Sequence, residues 1–123
     1  MSKTIKISFK NNELEAEIAN TFASQALGLM FRKTLPQNCG MLFVFKNEHY
    51  IPITMFGMRF PLDIVWLDAD KKIVEIKKNA NPRLNLFFST VYPRAKAKYV
   101  LEVNAGVADK LNFSEGAACL FTL

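Results

Sequence analysis

Near the start of the chain, apolar side chains recur at every second position: Ile5, Ile7 and Phe9, then Leu14, Ala16 and Ile18 alternating with Glu13, Glu15 and Glu17. A period of two is that of a β-strand with one covered face. If Asn11-Asn12 forms the turn, Phe9 faces Leu14, Ile7 faces Ala16 and Ile5 faces Ile18, while Lys10 and Lys6 meet Glu13 and Glu17 on the wet side. A hairpin is therefore expected, with the glutamates outside.

Beyond Ile18 the spacing changes. Phe22, Ala26, Leu29 and Met30 recur at helical intervals behind Asn20 or Thr21 as cap, so a short helix of two to three turns is predicted, its end weakened by Gly28 and followed by a loop over 34–38. Gly40-Met41-Leu42-Phe43-Val44-Phe45 is almost continuously apolar, as suits a central strand covered on both faces. The stretch 46–52 reads as a connection, and 53–58 and 62–67 as strands. Asp68 to Lys71 supplies a turn into a strand from Ile73 to Ile76. An irregular strand is expected over Arg83 to Ser89, then a strand over Tyr99 to Val103, a helix from an Asn104 cap through Leu111, and a final strand over Ala117 to Leu123. Sequential strands usually neighbour one another. The expectation is mainly β (α+β): a curled antiparallel sheet or small barrel of about seven or eight strands with two short helices.

The 123 residues suit one domain over 1–123, since no repeat, linker or low-complexity tract divides them. Half the chain is apolar, which excludes a disordered polymer, and the interrupted pattern excludes a coiled coil. No apolar run approaches the roughly 18 residues that span a bilayer, and the alternating start is unlike a signal segment, so a cytoplasmic protein without membrane partners is expected. Cys39 and Cys119 lack Cys-x-x-Cys spacing and are read as small buried hydrophobes.

Gly28-Leu29-Met30 with Arg32, Gly40-Met41-Leu42-Phe43 with Phe45, Met55, Gly57-Met58, Phe60-Pro61-Leu62-Asp63 with Asp68, Tyr99-Val100-Leu101-Glu102, Ala105-Gly106 and Gly116 follow in order along the chain. Together they resemble the family called domain of unknown function 192, over residues 14 to 121. Many of its members have an aromatic residue where this chain has Thr54, an Asn-Thr pair where it has Gly57-Met58, and an acidic residue where it has Ala117. The resemblance implies a small β-rich domain and carries no reaction with it.

No signature of a nucleotide loop, serine hydrolase, zinc protease or calcium loop occurs, and the single histidine, His49, sits in a polar stretch. Met30, Met41, Met55 and Met58 resemble core filling more than a soft metal site, so neither metal nor cofactor is assigned. Charges inside apolar segments are more informative, because each needs a partner. Arg32, Asp63 and Glu102 are such charges, and with Met55, Met58 and Tyr99 they form the candidate site for an unknown small molecule. A binding or accessory module is the first reading. A small hydrolase or lyase using the Asp63 and Glu102 carboxylates is the second.

The net charge of +5 is concentrated: residues 71 to 98 hold Lys71, Lys72, Lys77, Lys78, Arg83, Arg94, Lys96 and Lys98 against Glu75 alone. Interleaved with Phe87, Phe88, Tyr92 and Tyr99, they suggest a third reading, a weak nucleic-acid binder, with a solvated basic face as the commoner alternative. Oligomeric state leaves no mark in the sequence. The same basic segment predicts that its charges gather on one face, and the Asp63 strand predicts Arg32 as the partner of that carboxylate, with a backbone amide second.

Overall fold

The computed structural model describes residues 3–82 and 89–123. Strand β1 (Thr4–Phe9) pairs antiparallel with β2 (Asn12–Ala19), as the alternation requires. The register is displaced from the expected one: Phe9 pairs with Asn12, Ile7 with Leu14 and Ile5 with Ala16. The turn is Lys10-Asn11, with Lys10 at φ 54° and its ammonium 5.2 Å from the Phe9 ring centre. Alternation cannot choose between registers that differ by two residues, because both keep the same side chains inside. Ile7, Phe9, Leu14 and Ala16 are accordingly buried, and Glu13 and Glu15 are exposed.

Residues 20–38 cross over to bring β3 (Cys39–His49) parallel to β2, from Glu15 opposite Cys39 to Ala19 opposite Phe43. A parallel neighbour needs such a crossover, and α1 (Phe22–Leu27) supplies part of it. Continuing with β4 (Ile53–Thr54), β5 (Leu62–Leu67), β6 (Ile73–Ala80), β7 (Thr90–Val91) and β8 (Ala97–Asn104), the main sheet has the order β1-β2-β3-β8-β5-β6. Its other pairings are antiparallel, and β4 and β7 form a separate ribbon. A curled, mainly β sheet is thus what forms, mixed through its one parallel pair and not closed into a barrel. The strand expected at the C-terminus is reduced to single bridges, Ala118 with Lys72 and Leu120 with Ser8, which tie the outer edge of β1 to the β5–β6 turn. Residues 83–88, where an irregular strand was expected, lie outside the described residues.

Two cores sit on opposite faces of this sheet. One joins Ile7, Leu14, Leu42, Val65, Leu101 and Val103 to Val107, Phe113, Cys119 and Phe121 from the C-terminal part. The other joins Met41, Phe43, Ile64, Trp66 and Val100 to Leu29, Leu35, Ile51, Met55 and Met58 from the loops. Every residue of β5 is buried because both faces are covered, and the Trp66 indole N–H donates to the Ile51 carbonyl at 2.9 Å.

Both helices differ from expectation. Thr21 caps α1 through a reciprocal pair with Ser24, but no residue of α1 is buried and Phe22 is 90% exposed. Six residues lying across the edge of a hollow cannot turn a face into a core. Helix α2 is Val107–Lys110, capped at Gly106, whereas Asn104 remains in β8 and its amide donates to the carbonyls of Leu35 and Pro36.

Candidate functional site

Glu102 lies on β8 between Met41 of β3 and Ile64 of β5, on the face covered by the loops. The spacing there is tight: a Cβ on Gly40 would stand 2.6 Å from the Glu102 carbonyl oxygen, so β3 needs glycine to lie this close. The side chain is 4% exposed, and among the described residues no hydrogen-bond or ion-pair partner accompanies its carboxyl group. Burial without a partner disfavours the charged form and pushes the Glu102 carboxyl up to about 8. It is mostly an uncharged acid at neutral pH.

Above it opens a pocket of about 450 Å³, well within the size of small-molecule sites. Phe43 and Phe45 of β3 form one wall, Ile51, Ile53 and Thr54 another, and Met30, Phe56 and Met58 come from the loops. Helix α1 forms the rim with Phe22, Gln25, Ala26 and Leu27, of which Phe22 and Leu27 are largely exposed. The Gln25 amide N–H₂ donates to the carbonyls of Ala19 at 3.2 Å and Val44 at 2.8 Å, holding this helix to the sheet. His49 stands at the far end, edge-on to Phe45 at 5.1 Å, with Nδ1 3.0 Å from the Asn47 carbonyl. A carbonyl can only accept, so Nδ1 is the donor in that contact.

The loop shaping this pocket approaches itself closely. Gly57 has φ +75°, and a Cβ there would lie 2.6 Å from Met30 Cγ and 2.9 Å from Phe31 Cε1. Phe31 has φ 65°, an unusual conformation for so large a side chain, and its N–H donates to the Gly57 carbonyl at 3.0 Å. The glycine allows the two turns to interlock.

The six candidate residues do not meet in one place. Met58 lines the pocket with Glu102, and Met55 is buried in the core beneath the same face. Asp63 and Tyr99 belong to the opposite face, with Val65, Leu67, Leu101 and Val103. Arg32 borders a second hollow with Glu15, Glu17, Thr34 and Cys39. Its guanidinium makes a bidentate pair with Glu17, Nη2 to Oε1 at 2.9 Å, and this hydrogen bond raises the Arg32 pKa above its ordinary value against partial burial.

Asp63 therefore has backbone amides as partners, where Arg32 was the first expectation. Its Oδ1 accepts from Asn79 N–H at 2.9 Å, and its Oδ2 accepts from Gly106 N–H at 3.0 Å and Ala108 N–H at 2.9 Å. The carboxylate caps α2 from a neighbouring strand and pins the end of β6. With Asp63 and Glu102 on opposite faces, the two cannot act together on one substrate.

The basic residues are also parted. Lys71 lies 4.5 Å from the Phe121 ring centre, whereas Lys78 is ion-paired with Asp109 at 2.6 Å, roughly 20 Å further along β6 at strand spacing. Lys77 and Lys78 point to opposite sides of that strand. Lys96 stands over Tyr50 at 5.8 Å and Lys98 over Tyr99 at 5.7 Å, while the Arg94 N–H donates to Glu75 at 2.6 Å. Lys72 is in the β5–β6 turn, and Arg83, Phe87 and Phe88 lie outside the described residues. Lys71 and Lys78 thus meet Phe121 and α2 on the side of the C-terminal core, while Lys77 shares a cross-strand row with Ile64 of the other core. Among them, no group of His, Cys, Asp or Glu side chains is arranged to hold a metal ion, and no helix is long and apolar enough to cross a membrane.

Glu102 is legible in the sequence through its place in an apolar strand, whereas the α1 rim and the Phe43–Phe45 wall are not. The fold and site together define a small open-sheet β protein with an apolar pocket over a buried acid. The chain belongs to the DUF192 family, described as "Uncharacterized ACR", which it matches over residues 4–121. It is similar to a UPF0127 protein of Thermococcus sibiricus, 31% identical over 102 residues that cover 81% of this chain and 61% of that protein. The chain thus spans about three-fifths of the length of that relative. A UPF0127 protein of Pyrococcus furiosus is 29% identical over 109 residues, 87% of this chain and 86% of the other. Among solved structures, a proposed transcription regulator of Sinorhizobium meliloti superposes with a TM-score of 0.90 at 26% identity, covering 98% of this chain and 95% of that one. A protein of unknown function from Novosphingobium aromaticivorans has a TM-score of 0.82 at 28% identity, covering 95% and 83%. These relatives carry no assigned reaction.

Proposed function

We propose that this protein is a binding module for a small, mainly apolar molecule held in the pocket over Glu102. The observation that supports it best is the junction of an apolar hollow of about 450 Å³ with a buried carboxyl group that has no partner among the described residues. A structural carboxylate is saturated, as Asp63 is; Glu102 is left for something that enters. A regulatory role of the kind named for the Sinorhizobium protein would act here through that ligand. A cytoplasmic setting belongs to the same proposal and is supported by the two free cysteines, Cys39 and Cys119.

Nile red, a neutral dye that brightens in apolar surroundings, tests the pocket. The folded protein is expected to bind it saturably. Ala26→Trp, at an exposed position on the rim, is expected to weaken binding by about tenfold or more while leaving the urea midpoint unchanged. Absence of saturable binding, or equal binding by the variant, would remove this reading.

A further inference from the structure

The polar chemistry of the pocket selects among apolar molecules. We propose that Glu102 acts as an uncharged acid, donating its O–H to an acceptor on the ligand, so that the pocket takes neutral hydrocarbon-rich molecules bearing a carbonyl or ether oxygen. This rests on the pocket being a ligand site. It goes further in naming the recognising atom and the class of molecule recognised.

The surroundings of Glu102 support a donor and oppose an ion pair. From β3 and β5 its neighbours are Met41 and Ile64, which carry no charge. From α1 comes Gln25, whose amide N–H₂ is already occupied by two backbone carbonyls. Beyond Met41 in the same cross-strand row stands Glu17, roughly 10 Å away at strand spacing and paired with Arg32. Beyond Ile64 stands Lys77, which is exposed. His49 is at the other end of the pocket, since its strand neighbour is Ala97, five residues from Glu102 along β8. Among the described residues, nothing charged touches the acid, in keeping with its preference for the protonated form.

A neutral acid that is 4% exposed has already lost most of its hydration. A ligand oxygen that accepts its proton gains a hydrogen bond at little further cost, whereas an ammonium or carboxylate ligand would shed its own hydration into the same apolar walls. The bond formed is O–H···O, with no net proton transfer. Ionisation of Glu102 removes the donor, so selectivity for an acceptor should disappear as pH rises past the acid's range.

Four octyl probes that share a chain length and differ in head group separate the possibilities: octane, methyl hexyl ketone, octylamine and octanoate, each displacing Nile red. At about pH 6.5 the ketone is expected to bind roughly 3- to 10-fold tighter than octane, and at about pH 9.5 that margin should vanish. Glu102→Gln, which keeps a donor without a titrating proton, should retain the margin at both pH values. The wild-type pair of measurements stands even if that variant folds poorly. Preference for octylamine, or a ketone no better than octane at either pH, would overturn the donor role while leaving the dye site intact. If neither dye nor any octyl probe binds, the pocket reading and this inference fall together.

Discussion

Two buried carboxyl groups on neighbouring strands have opposite fates. Asp63 on β5 is 1% exposed and accepts three backbone N–H bonds, which compensate its charge and fasten α2 and the end of β6 to the sheet. Glu102 on β8 is nearly as deeply buried, yet faces a pocket with nothing to compensate it among the described residues. Burial alone therefore does not separate a structural acid from a binding one. What separates them is whether the fold completes the hydrogen bonding itself.

The largest test of this contrast is the pH dependence of stability. Glu102 has a pKa raised from 4.5 to about 8 by burial, so the folded state holds its proton where the unfolded chain has lost it. Its contribution is fully present below about pH 4.5 and is lost as pH rises to about 8, with the native state the tighter proton binder throughout that window. In urea titrations, Glu102→Gln should gain stability relative to wild type as pH rises, by an amount on the order of 3 to 5 kcal/mol between about pH 4.5 and pH 9. A constant difference across that range would show that Glu102 has a compensating partner after all.

Asp63→Ala comes next. It strips acceptors from the amides of Asn79, Gly106 and Ala108 and should cost about 3 kcal/mol in the same assay, with α2 the first segment to lose hydrogen-exchange protection. A loss under about 1 kcal/mol would mean that water replaces the carboxylate easily and that the contrast with Glu102 is overstated.

The pattern of the chain showed most of the sheet and little of the site, for physical reasons. Alternation revealed β1 and β2 because one covered face imposes a period of two, and the nearly continuous apolar stretches 40–45 and 62–67 revealed β3 and β5 as covered on both sides. It could not give the register of the first hairpin, since a slip of two residues leaves Phe9 and Leu14 inside either way. Nor could it give the parallel β2–β3 pairing, which depends on how residues 20–38 cross over. Charges in apolar strands marked Asp63 and Glu102 alike, but one-residue parity puts the pair on opposite faces only after β5 and β8 are aligned, with Ile64 opposite Glu102 and Asp63 opposite Val103. Helical spacing over Phe22, Ala26, Leu29 and Met30 does not reveal whether a core lies beneath a helix of six residues.

The smallest expected effect is also the sharpest on the question of partners. Arg32 was the natural first partner for Asp63 on charge alone, yet its fork is on Glu17, on the opposite face from Asp63. If that geometry holds in solution, Arg32→Ala and Asp63→Asn should be additive, with a coupling below about 0.5 kcal/mol in a double-mutant cycle. Arg32→Ala and Glu17→Gln should instead couple, though only by about 0.5 to 1 kcal/mol, because the pair is partly open to solvent and the Arg32 side chain is 36% exposed. Raising the salt concentration should shrink the second coupling and leave the first near zero. Coupling between Arg32 and Asp63 comparable to that between Arg32 and Glu17 would place the guanidinium near the Asp63 carboxylate. Asp63 would then belong with the charges that seek a partner across the fold, and its difference from Glu102 would rest on an ion pair instead of on backbone amides.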